Sequence, residues 1–294
     1  MTERQPTDCT EHCLAYLDIL GFKKFVNEAV EEDATAQKIL ALRVAVDRAK
    51  EQARKMRKAG QGRWDDLQMQ ILSDAIFIAL PSTSSFCKRT MQMLVGYIQL
   101  SLAVPNPGED LTWPMALQLP PCHSAEDLHL FVRGAIVEGP HYAAEDILFS
   151  PAWIEGYMNE TKHAVFPRVV LCPGKLDAFD SYEDARNRLF WQNMVWRDFD
   201  GLPFINYLNI LTEYPSEALE WTLREHQHVI IRKIRQYGTD LRVAPKYWWL
   251  ASYHNAFCRF ADIDPDTASN LAIPNVALPG HEQLGAWAAK EQSQ

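Results

Sequence analysis

The sequence has no run of 18 apolar residues, so nothing in it is built to span a bilayer as a helix. It has no excess of positive charge either: 29 lysines and arginines stand against 38 aspartates and glutamates, a formal net charge of −9. Broad nucleic-acid binding needs a basic surface, which this composition does not provide. Paired cysteine spacing is missing too, because Cys9, Cys13, Cys87, Cys122, Cys172 and Cys258 are scattered. Cys9, His12 and Cys13 could begin a zinc site, but no second ligand pair follows at usable spacing, and reduced, mostly buried thiols are expected. The opening MTERQPTDCTEH holds no apolar signal core, and no internal repeat is visible. A cytoplasmic protein is expected, with neither membrane nor nucleic acid among its partners. With 294 residues, 47% of them hydrophobic, the chain can bury a large core in one elaborated domain or two small ones.

Two aspartates stand out against this background. Asp18 ends the apolar run Leu14-Ala15-Tyr16-Leu17-Asp18-Ile19-Leu20-Gly21-Phe22, and Asp74 interrupts Gln70-Ile71-Leu72-Ser73-Asp74-Ala75-Ile76-Phe77-Ile78-Ala79. Residues 13–19 read as a buried strand; Gly21 permits a sharp turn and Phe22 begins a helical stretch. A second helix spans roughly 34–58, with a basic end (Arg48, Lys50, Arg54, Lys55, Arg57, Lys58) that is either a solvated face or a phosphate site. Gly60-Gln61-Gly62 breaks it. Strands at 66–72 and 75–80 are joined tightly at Ser73-Asp74, and Pro81 ends the second. A helix at 84–104 precedes a long loop, 105–127, with five prolines. Then come the strand Leu128–Val137, the helix Pro151–Lys162 and the strand Arg168–Cys172. The order β-α-α-β-β-α-β-α-β suits an α+β sandwich of helices on a mainly antiparallel sheet. Beyond about residue 175 the spacing predicts helices at Arg186–Arg197, Ser216–Tyr237 and Pro245–Ala261, without strong strands.

Carboxylates gathered at strand ends can hold two divalent cations over a triphosphate. The metal ligands would be Asp18, Asp74 and the Ile19 carbonyl. Backbone N–H groups from Leu20 through Gly21 to Phe22 would receive phosphate oxygens at a helix start. The bland alternative makes Asp18 a helix cap and Asp74 a turn residue. Gln70 both donates and accepts, so it can pair with uracil or with cytosine, and Gln68 shares its face. Trp64 and Tyr16 are stacking candidates, although core packing is the stronger expectation for each. His226 and His228, two apart on one helix, face different ways and form no metal pair.

Three motifs, in order, resemble the class III nucleotide cyclases: Asp18-Ile19-Leu20-Gly21-Phe22, Ser73-Asp74, and Arg133-Gly134-Ala135-Ile136-Val137-Glu138-Gly139. The resemblance covers residues 13 to about 172. It implies a cyclase-like sandwich, with residues 1–175 as catalytic domain and 176–294 as a helical C-terminal extension. It also implies Mn²⁺ or Mg²⁺ as cofactor, Arg133 near the phosphates, and a homodimer with shared active sites. The family's helix Asn and Arg are replaced by Ile154 and Met158, counting from Ser150, and its adenine-selecting Lys by Gln70. Arg168 and Lys175 are candidates for the missing positive charge. These departures, with Asp198-Phe199-Asp200-Gly201 and Asn206-Tyr207-Leu208, are most similar to the pyrimidine cyclases of the bacterial Pycsar anti-phage system. That branch implies conversion of UTP to 3′,5′-cyclic UMP and pyrophosphate, as a signal to a downstream effector that the cyclic nucleotide activates. A cytidylate cyclase acting on CTP, a purine cyclase with an unusual site, and a catalytically silent nucleotide-binding regulator are the alternatives.

Overall fold

The first strand, β1 (Thr10–Leu20), supplies apolar side chains to two faces at once. Cys13, Ala15, Leu17 and Ile19 enter the main core, whereas Leu14 enters a smaller cluster on the opposite face. That is the alternation of a strand covered on both sides. The computed structural model describes residues 9–55, 66–82, 85–104, 128–144, 147–172, 185–261, 263–274 and 285–286. After β1 come α1 (Phe22–Glu31), α2 (Thr35–Lys55), β2 (Gln68–Leu72), β3 (Ala75–Pro81), α3 (Ser85–Ala103), β4 (Phe131–Ala144), β5 (Ile147–Phe149), α4 (Pro151–His163) and β6 (Val169–Leu171). Then follow α5 (Ala185–Asn193), β7 (Val195–Arg197), β8 (Pro203–Ile205), a 3-10 helix over Tyr207–Glu213, α6 (Ser216–Tyr237), α7 (Ala244–Phe260), α8 (Pro265–Leu271) and β9 (Gly285–Ala286).

Among the described residues the strands form one open sheet in the order β2-β3-β1-β4-β6-β8-β7-β9, with β5 paired to the far end of β4. Only β4 and β6 run parallel; the remaining pairs are antiparallel. The chain is therefore an α+β fold with a mainly antiparallel sheet. On one face α3 and the C-terminal helices share the main core with β1, β3 and β4. On the other, α4 lies across β1 and β4 through its small residues. Gly156 packs on Tyr16, Leu14 and Val137, and Gly139 of β4 packs on Ala152. Ser150 caps α4 by accepting the Trp153 N–H at 3.0 Å, and Pro151 occupies the first turn, where no donor is missed. No described helix is long and apolar enough to cross a membrane.

The segment after residue 175 differs from its sequence reading. The helix expected over Arg186–Arg197 ends at Asn193, and Val195–Arg197 is a strand. Trp196 is the reason: it is wholly buried, with edge contacts to Tyr253 and Phe260. Three strands in all, β7, β8 and β9, come from this segment and extend the same sheet. β4 also runs on to Ala144, past the expected end at Val137, because β1 keeps pairing with it as far as Thr10↔His141. Gly60-Gln61-Gly62, Trp64, the 105–127 loop, Cys122 and Lys175 lie outside the described residues.

Arg168 is not available to a substrate. It is 1% exposed and its guanidinium is bonded to Asp198, Asp200 and the His163 carbonyl, while Trp249 donates to the same Asp198 carboxylate at 2.8 Å. Removing one partner of such a buried network leaves an uncompensated charge, so its role is to join β6 to the C-terminal segment.

A second buried network has a single self-consistent proton arrangement. The Leu271 carbonyl can only accept, so His254 Nε2 carries a hydrogen and donates to it at 2.8 Å. His254 Nδ1 must then accept from His226 Nδ1–H at 3.0 Å, and His226 Nε2 accepts from the Tyr207 hydroxyl at 2.7 Å. Both rings are neutral, and burial pushes His226 far down and His254 to about 4. His228, two residues along, is exposed beside Glu225. Above pH 6.5 neither the folded nor the unfolded state protonates these rings. Below it the unfolded chain takes protons that the folded one refuses, so stability falls as pH drops. The expected slope is about 1.4 kcal/mol per pH unit for His254 between pH 6.5 and about 4, and His226 adds to it in the same direction. Urea unfolding at pH 7.5, 6 and 5 reads this slope. Flat stability across that window would contradict the neutral pair.

Candidate active site

The paired strands bring the two aspartates to one end of the sheet. Asp18 lies opposite Ala75 on β3 and Arg133 on β4. Asp74 immediately precedes Ala75 in the β2–β3 turn, where Ser73 takes a left-handed φ of 56°. The Asp74 carbonyl accepts the Ile19 N–H at 2.7 Å, which ties the turn to the end of β1. The Asp74 side chain is exposed, and its main chain does the structural work. Gly21 follows in the left-handed region, φ 80°, a conformation that strains any side-chain-bearing residue. It starts α1 without a side-chain cap, so the first-turn N–H groups of Phe22 and its successors have no internal acceptor. Leu20 and Gly21 thus lead directly into a helix N-terminus beside the carboxylates, the geometry that receives phosphate.

Arg133 sits in this cluster. Its Nε–H is donated to Asp18 Oδ2 at 2.8 Å, and Glu160 Oε1 lies 2.8 Å from the same nitrogen. Asp18 takes that hydrogen, and Glu160 Oε1 accepts no hydrogen bond among the described residues although Glu160 is only 2% exposed. Burial raises the Glu160 carboxyl above the usual range, with the Arg133 charge opposing. The Tyr16 hydroxyl is pushed up to about 12 by burial, helped by Glu160, Asp18 and Asp74. The result is a carboxylate-rich cluster at the end of the sheet with Arg133 as its neutralising centre.

Gln70 lies on the edge strand β2, exposed, opposite Phe77, which in turn faces Tyr16. Its side chain makes no hydrogen bond among the described residues, whereas Gln68 is held by His141 Nε2 at 2.9 Å. Tyr16 is a packing residue: its ring meets Phe77 at 5.2 Å and Tyr157 of α4 at 5.6 Å. Trp153 covers Phe77 at 3.7 Å. The donors at Asp18, Asp74 and Ile19 are hard oxygens, the set Mg²⁺ and Mn²⁺ take together with substrate phosphates. No group of three His, Cys, Asp or Glu side chains suited to hold a metal occurs among the described residues. A cation here would depend on oxygens from outside these side chains to complete its shell.

Sequence reading passed over Glu160 and Lys246. Glu160 lies on α4, the same helix as Ile154 and Met158, at a position where a buried carboxylate gives no local signal. Lys246 lies on α7, where the charges of Arg133, Asp18 and Glu160 reach its ammonium. Ile154 and Met158 are exposed on α4, on the side away from the sheet. No protein-family model matches the chain, and no curated protein matches it.

Proposed function

We propose that this chain is a pyrimidine nucleotide cyclase that converts UTP to 3′,5′-cyclic UMP and pyrophosphate, made as an anti-phage second messenger for an effector protein. The observation that supports it most is the convergence of Asp18 and Asp74 through the β1–β3 register and the Ile19–Asp74 main-chain bond, beside an open helix N-terminus. Asp18, Asp74 and the Ile19 carbonyl would hold two Mn²⁺ or Mg²⁺ ions. Bound there, such ions lower the pKa of the ribose 3′-hydroxyl and neutralise phosphate charge. The 3′ oxygen, losing its proton, forms a bond to the α-phosphorus as the bond to pyrophosphate breaks. The α1 N-terminus from Leu20 to Phe22 orients the phosphates. Arg133 keeps Asp18 and Glu160 from repelling one another.

Gln70 is free to read the base edge at the rim of β2, and its amide accepts either uracil or cytosine. Ile154, Tyr157 and Met158 of α4 and Ile71 and Leu72 of β2 are exposed apolar side chains. A second copy of the chain would cover them in a two-fold homodimer. Light scattering should then give about twice the 33.7 kDa chain mass; a monomer at full activity would exclude it.

Incubation with each of the four nucleoside triphosphates and Mn²⁺, followed by chromatography, tests the reading. One cyclic pyrimidine product supports it. A cyclic purine product, or no product from any of the four, contradicts it. In the same assay Gln70→Lys should lower pyrimidine turnover, because an ammonium only donates and leaves the donor of the base edge unmatched. An unchanged ratio among the four substrates would reduce Gln70 to a strand residue.

A further inference from the structure

The chain carries a cation at the site that no sequence motif announced. α7 enters at the end of the sheet where the carboxylates gather. The Tyr247 ring packs 6.2 Å from that of Phe131, and Phe131 is the β-ladder partner of Leu20, two residues beyond the Asp18↔Arg133 pair. Tyr247 also stacks on Tyr237 at 5.7 Å, and Tyr237 is bonded to Lys24 of α1 at 2.9 Å. The first turn of α7 is therefore fixed against both the loop and the helix that follow Asp18. Lys246 lies in that turn, half-buried, its main-chain N–H on the Val243 carbonyl and its ammonium without a hydrogen bond or ion pair among the described residues. Glu160 Oε1, 2.8 Å from Arg133 Nε, is buried and accepts no hydrogen bond among the described residues. Burial and the Arg133 charge lower the Lys246 ammonium, and Asp18, Glu160 and Asp240 hold it up.

We infer that Lys246, supplied by the C-terminal segment of the same chain, is a triphosphate-binding residue that takes the β- and γ-phosphates and so replaces the cation missing from α4. The inference rests on the cyclase reading for its ligand. An unpaired ammonium held near carboxylates, with part of its water removed, is poised for a polyanion that arrives with its own counter-cations. The C-terminal segment is then part of the active site.

The test uses the full chain and the probe Mn²⁺-pyrophosphate, measured by calorimetry so that it does not depend on turnover. Lys246→Met keeps the apolar stem and Lys246→Arg the charge. Lys246→Met should weaken pyrophosphate binding about 10- to 100-fold and raise the KM for UTP similarly, while Lys246→Arg recovers most of both. The melting temperature should not fall, since the ammonium has no partner to lose. Binding within twofold of wild type in Lys246→Met overturns the assignment, as does a loss of binding explained by a lower melting temperature in both variants. Wild-type protein that binds no pyrophosphate overturns both the assignment and the cyclase reading. Binding that depends on Lys246 without any turnover overturns the cyclase reading alone.

Discussion

Asp18→Ala and Asp74→Ala should each remove turnover, by about a thousandfold or more, because metal and electrostatic stabilisation of developing charge are among the largest catalytic effects. The fold should survive both. In Asp18→Ala the Arg133 guanidinium keeps Glu160 at 2.8 Å, so no buried cation is left alone. In Asp74→Ala the main-chain bond from Ile19 N–H to the residue-74 carbonyl is untouched, and the lost side chain is an exposed one. Circular dichroism and melting curves verify folding, and steady-state rates with Mn²⁺ read the effect. Full activity in either folded variant would refute the metal assignment.

Gly134→Ala should be the most damaging small change in the sheet. A Cβ there would lie 2.2 Å from the Tyr16 carbonyl oxygen, 2.7 Å from Leu17 Cδ2 and 3.1 Å from Leu17 Cα. Two of those three neighbours are backbone, so no rotamer change relieves the clash. β1 and β4 would have to part, and their ladder is what sets Asp18 beside Arg133. A loss of about 4 kcal/mol or more is expected, in the range reserved for severe steric and core lesions. Gly139→Ala is the control, since its Cβ meets only Ala152, the methyl at 3.3 Å and the Cα and N at 3.7 and 4.0 Å, and a small shift of α4 accommodates it. Urea midpoints of the two variants measure the difference. Near-native stability of Gly134→Ala would contradict the β1–β4 register.

The strands that carry Asp18 and Asp74 were legible in the sequence because each has strong local markers. Gly21 and Ser73-Asp74 are turn chemistry, and the apolar runs beside them are long enough to read as strands. Strand β7 was hidden because Val195-Trp196-Arg197 is too short to show a period and follows a helix without a breaker. Arg168 looked like a free cation because its partners, Asp198 and Asp200, lie thirty or more residues away in sequence. Glu160 and Lys246 were invisible for the same reason. A carboxylate on one helix and an ammonium on another become a site only when the sheet brings their ends together, and no local pattern encodes that approach.

Phosphorus NMR of the chain with UTP and Mg²⁺ tests the central claim most directly. The account predicts that the three triphosphate signals give way to pyrophosphate and a cyclic phosphodiester in equal amounts. It predicts no such change with Asp18→Ala or Asp74→Ala. Release of orthophosphate with UDP, or conversion that persists in either variant, would contradict it.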